Sequence, residues 1–148
     1  MATKARGIRL PGALEAEIER EMRLQGAGFT EVAVSLLREA LRMRRVPGIV
    51  FMDGATGRRA VVAGTGVDVW EIVGQYREVG EDFEELKACY PWLTGVQLSS
   101  ALGYYEIYPE EIDARLEKEE RWTPESLWRE HPFMRPDRGN EAGRRESS

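Results

Sequence analysis

The apolar positions of this 148-residue chain change their period several times, and each change marks an element. Residues 5–10, ARGIRL, alternate: Ile8 and Leu10 fall on one face, Gly7 and Arg9 on the other, the period of a short strand. Pro11 ends it, since proline has no N–H for the next ladder bond. From Gly12 the period lengthens. Leu14, Ile18 and Met22 stand four apart with glutamates between them, which predicts an amphipathic helix that QGAG at 25–28 breaks. Thr30 is placed to cap a second helix, with Ala33, Val34, Leu37, Ala40 and Leu41 along one side. That helix closes with Arg38, Arg42, Arg44 and Arg45, cations suited to the negative end of the helix dipole.

A second part opens after Val46, Pro47 and Gly48. IVFM at 49–52 and RAVVA at 59–63 flank a Gly-rich connection and predict a β-hairpin. GTG at 64–66 has neither full dinucleotide-loop spacing nor the Lys-Ser/Thr ending of a phosphate loop. Asp68 can cap a helix carrying Val69, Ile72, Val73 and Tyr76 and ending near Gly80. A short helix over 83–89 stops before Tyr90 and Pro91, and Thr94 opens a longer one through Val96, Leu98, Ala101, Leu102 and Tyr105, the spacing of a helix-turn-helix. A hairpin and three helices make a winged-helix-like body. The third part, from Trp122, interleaves Trp122, Leu127, Trp128 and Phe133 with Arg129, Arg135 and prolines, with Thr123 and Pro124 able to start a helical turn. The expected fold class is therefore α+β, mainly helical, divided at 1–45, 46–121 and 122–148.

Residues 1–45 form too small a unit to bury a core alone, and a single strand leaves both edges open. A second copy supplying an antiparallel strand resolves both problems, so a homodimer is expected. Charge separates the same regions: residues 1–45 carry nine Lys/Arg against six Asp/Glu, a net of +3, while 68–121 carry five against fourteen, a net of −9. A basic front and an acidic body point to different partners, although solvated helix faces produce the same pattern.

Several function classes fall away. No apolar run approaches the roughly 20 residues of a membrane span, and the N-terminus lacks the order of a secretory signal, so no membrane partner and a cytoplasmic location are expected. One cysteine and one histidine supply neither a disulfide nor a structural zinc site. His131 has no credible nucleophile beside it, Cys89 reads as a buried inert thiol, and Trp70, Trp92, Tyr104, Tyr105 and Tyr108 read as core. No catalytic residue, metal ligand or cofactor is expected.

The string from Arg6 to Arg45, with Arg9, Leu10 and Pro11, the Gly-containing turn, and TE at 30–31 followed by LREAL at 37–41, resembles the ribbon-helix-helix family of the Arc/MetJ/CopG type. A simple helical hairpin is the competing reading. The resemblance implies a two-stranded ribbon in the DNA major groove, with Ala5, Gly7 and Arg9 facing the bases, and a phosphate clamp at Gly28, Phe29 and Thr30. Ala5 and Gly7 carry no hydrogen-bonding side chain, so base reading rests on Arg9. Residues 49–120 resemble domain-of-unknown-function family 433, the winged-helix-like domain of VapB-type antitoxins. GTGVDVW at 64–70, YPWLT at 90–94, ALGYY at 101–105 and YPEEID at 108–113 carry this likeness.

What these resemblances imply is the antitoxin of a type II toxin–antitoxin pair, binding operator DNA through its front end and neutralising a PIN-like ribonuclease toxin. The alternative is a ribbon-helix-helix regulator with no toxin partner. The helix opening at Thr94 has no Lys or Arg before Arg115, so it fits protein better than DNA. Trp122, Leu127, Trp128, Arg129, Phe133 and Arg135 are the expected partner-binding residues, the other reading being that the tail packs on its own domain.

Overall fold

The computed structural model describes residues 3–55, 57–121 and 123–134. Among these, the chain is α+β and mainly helical, with seven α-helices, one 3-10 turn and one antiparallel hairpin. It forms two compact units, Met1–Gly66 and Val67–Ser148, so the hairpin belongs with the N-terminal helices.

In the first unit, α1 (Gly12–Gln25) ends where Gly26 adopts a left-handed conformation, φ 62°, and returns a backbone bond to Met22. Helix α2 (Phe29–Arg45) begins two residues earlier than a cap at Thr30 would start it. Gly28 holds the cap position with extended dihedrals and no side-chain acceptor, and Thr30 lies inside the first turn. Residues 3–11 take no regular structure, and the strand expected over 5–10 is absent from the single chain. A strand is defined by its ladder, and residues 5–10 have no ladder partner among the described residues.

The hairpin pairs β1 (Ile49–Gly54) with β2 (Gly57–Val62), setting Ile49 opposite Val62 and Asp53 opposite Arg58. Gly57, at φ 117°, supplies the turn conformation that side chains resist. Arg58 ties this hairpin to α2: its guanidinium donates to Glu39 at 2.6 and 2.9 Å and to Asp53 at 3.0 Å. Burial pulls that guanidinium down, but the hydrogen bonds to Glu39 and Asp53 outweigh it and hold Arg58 above its ordinary value.

The second unit is built around α3 (Val69–Glu78). Asp68 and Glu71 cap its start reciprocally. Helix α3 packs on α4 (Phe83–Cys89), α5 (Gly95–Ile107) and α6 (Pro109–Arg121). Val69, Ile72 and Val73 of α3 meet a core that includes Leu86, Leu98, Ala101, Tyr104 and Ile112, all buried. Each such side chain stabilises the fold by about 1.5–3 kcal/mol before chain entropy is counted. Gly74 marks the tightest approach: a Cβ there would stand 3.2 Å from Leu116 Cδ2, so α3 and α6 touch closely only because the side chain is missing.

Asp82 and Thr94 cap α4 and α5, Asp82 accepting from the amides of Glu84 and Glu85, and Thr94 from that of Gln97. The intervening turn over 90–94 completes the helix–turn–helix spacing read from the sequence. Thr123 caps α7 (Pro124–Glu130), with Pro124 in the first turn as expected. Two expectations are corrected here. Cys89 is exposed, not buried, and Trp92 stands 66% exposed, not in the core.

Candidate functional site

The residues with a DNA-facing role in the resemblance lie at two places in the first unit. Ala5, Gly7 and Arg9 are exposed on the irregular segment before α1. Gly28, Phe29 and Thr30 stand at the α2 N-terminus, also exposed. Because Gly28 brings no side-chain acceptor, the first-turn amides of this 17-residue helix are not capped by it, and such amides suit an anion. Glu31 in the same turn opposes that use by adding a negative charge at this helix end.

A larger feature of this unit is apolar surface that one copy does not cover. Between α1 and α2 only Ile18 and Val32 are fully buried. By contrast, Ile8 and Leu24 are each 71% exposed, Leu37 58% and Leu41 62%, and Val34, Leu36 and Met43 are exposed as well. Val34, Leu37 and Leu41 follow the three-and-four spacing of one helix face. A groove of about 490 Å³ runs beside α1, lined by Leu14, Ile18, Leu24 and Leu36 among others.

The second unit is knit by polar contacts across its helices. Arg77 of α3 donates to Asp113 of α6 at 2.7 Å and to the Tyr105 hydroxyl of α5, and that hydroxyl donates to Asp113 at 2.8 Å. The Tyr105 and Arg77 hydrogen bonds hold the Asp113 carboxyl below its usual range, while the bond to Asp113 pushes the Tyr105 phenol up. Buried Tyr104 donates to Glu111, and the Arg115 guanidinium lies 5.3 Å from the Trp70 ring centre. These groups are committed to holding α3, α5 and α6 together. Among the described residues no cluster of three His, Cys, Asp or Glu side chains is arranged to hold a metal ion, and no helix is long and apolar enough to cross a membrane.

The sequence reading missed the surface at the turn into α5. Trp92 is held edge-on by Tyr90, 5.6 Å between ring centres, and Val96 in the first turn of α5 is 78% exposed. The only available signal was the position of Trp92 in a turn, where periodicity does not report burial. Of the tail residues, Leu127 and Trp128 are half-buried, Arg129 is exposed, and Phe133 is 83% exposed with His131 against its edge. Trp122 and Arg135 lie outside the described residues.

No curated protein matches the chain. Residues 49–105 match the family described as "Protein of unknown function (DUF433)". A crystal structure of a DUF433 member protein from Anabaena variabilis is 34% identical over an alignment covering 66% of this chain and 94% of that one, with a TM-score of 0.41. The stretch similar to the DUF433 family thus runs from β1 into α5, over residues 49–105.

Proposed function

We propose that the protein is the antitoxin of a type II toxin–antitoxin pair: a homodimer that binds operator DNA through a ribbon-helix-helix front end and neutralises a PIN-like ribonuclease. The observation that carries this reading is the apolar surface of α1 and α2. With only Ile18 and Val32 buried between them, these helices need a second copy, and the same copy would give residues 5–10 the ladder partner they lack. Arg9 on that segment would then sit in a paired ribbon able to enter the major groove. The region from α3 onward, in its helices and tail, would meet the nuclease, with Phe133 and Trp128 as anchors and Arg129 facing its metal-binding carboxylates.

Two experiments test the two halves of this reading. On duplex DNA from upstream of its own gene, Arg9→Ala is expected to weaken binding by about tenfold to a hundredfold, the range of one lost base contact. Wild-type affinity should fall steeply with added salt, as phosphate neutralisation demands. Unchanged affinity of the variant would remove Arg9 from DNA reading. For the second half, the tagged chain is purified from its native cell and its partners identified by mass spectrometry. A stoichiometric small nuclease is the expected result. Bound DNA without any protein partner would favour the regulator that works without a toxin.

A further inference from the structure

We infer that the Trp92–Val96 corner of the second unit is a docking surface for an amphipathic, cationic segment of a partner protein. Trp92 and Val96 lie four residues apart across the start of α5 and are among the most exposed large apolar side chains of the chain, at 66% and 78%. The corner is preorganised. Tyr90 packs edge-on against the Trp92 ring, and the capping of α5 by Thr94 fixes the first turn that carries Val96. An aromatic held by Tyr90 and, four residues on, an aliphatic group on a capped first turn offer apolar area at little cost in ordering.

Charge selects the occupant. Residues 68–105 carry seven Asp/Glu and two Lys/Arg. Both cations are engaged, Arg77 by Asp113 and Lys87 by Glu84, at 2.7 and 3.7 Å. Asp82, Glu84 and Glu85 cluster in and just before the first turn of α4. Glu71 lies near enough to Tyr90 that its charge, after burial, adds to the upward push on the phenol. A nucleic acid would be repelled by this surface, and so would the same face of a second copy. What fits is a protein segment with apolar anchors for Trp92 and Val96 and Lys or Arg at its edges.

This deepens the antitoxin reading by giving the neutralised partner a place to bind. It rests on that reading only for the partner's identity. A ribonuclease must hold an RNA backbone with cations, so an acidic surface with a projecting indole complements the groove such an enzyme needs.

The test uses the full chain and a synthetic amphipathic helical peptide of leucine and lysine, followed by the indole N–H resonance of Trp92. Binding is expected to shift that resonance and the Val96 methyls first, and Trp92→Ser or Val96→Ser should each weaken binding about tenfold. Both side chains are largely exposed, so the variants should retain the wild-type melting temperature. A lysine–serine peptide of equal charge binding as tightly would overturn the proposal, as would equal binding of a leucine–glutamate peptide. It would also fall if Trp92→Ser changed the oligomeric state, which would mean that a second copy covers this corner. Any of these failures would leave the co-purification of a nuclease untouched, so the two ideas fail separately.

Discussion

Glutamate at both Leu37 and Leu41 is expected to convert the proposed homodimer to a monomer. The two leucines are 58% and 62% exposed and share a face of α2 with Val34. Covering what remains exposed would contribute about 1 kcal/mol per side chain, and a symmetric interface counts each of them twice. The sum, about 4 kcal/mol, corresponds to about three orders of magnitude in the dissociation constant. The carboxylates add a desolvation penalty in the same direction. In the isolated chain these positions face solvent, so the substitutions should leave α2 helical. Sedimentation of wild type and variant at the same concentration reads the result directly. Met52→Glu, on the exposed end of the hairpin, provides the control and should stay dimeric. A wild-type chain that sediments as a monomer at tens of micromolar, or a double variant that remains a dimer, would overturn the homodimer and with it the ribbon that reads DNA.

The same helix illustrates what sequence reading reaches and where it stops. The turn at Gly26, the arginine-rich end of α2, the existence of the hairpin and the caps at Asp68 and Thr94 are all legible, because each depends on residues within a few positions of one another. Residues 5–10 were read as a strand and have no such form in one copy, since a strand requires a partner that the single chain lacks. Thr30 was read as a cap and lies inside α2 because Gly28 already takes the extended conformation that a cap needs.

The exposed side chains near α4 escaped for a different reason. Phe83, Leu86 and Tyr90 define the inward arc of that seven-residue helix and the residue after it, and Cys89 falls outside the arc. A helix of two turns has too few apolar positions for its pattern to decide this. Trp92 follows in a turn, where no period applies at all. As for the candidate site, Arg9 and the Gly28–Thr30 stretch could be named from a family pattern, whereas the exposure of Trp92 and Val96 follows only from how the helices are placed.

That dependence makes the second large effect predictable. Tyr104 is fully buried on the inner side of α5, beside Leu98 and Ala101, with its ring 4.9 Å from that of Tyr108 and its hydroxyl donating to Glu111. Tyr104→Ala removes the largest side chain of this core and is expected to cost about 3–5 kcal/mol, the range for emptying a buried aromatic site. Against a total stability of about 5–15 kcal/mol, that loss brings the unit close to unfolding. For a domain of this size the melting temperature should fall by about 15–30 °C. Tyr104→Phe keeps the ring and removes only the bond to a carboxylate, a loss of about 1.5–3 kcal/mol. Thermal unfolding followed by circular dichroism should therefore rank wild type above Phe and Phe above Ala. Since Val96 is carried by the outer side of the same helix, the alanine variant should also lose the leucine–lysine peptide, while the phenylalanine variant keeps it at temperatures below its own midpoint. An alanine variant that melts with wild type would mean that the inner side of α5 is not packed in the core of the unit, and the corner built on that helix would lose its physical basis.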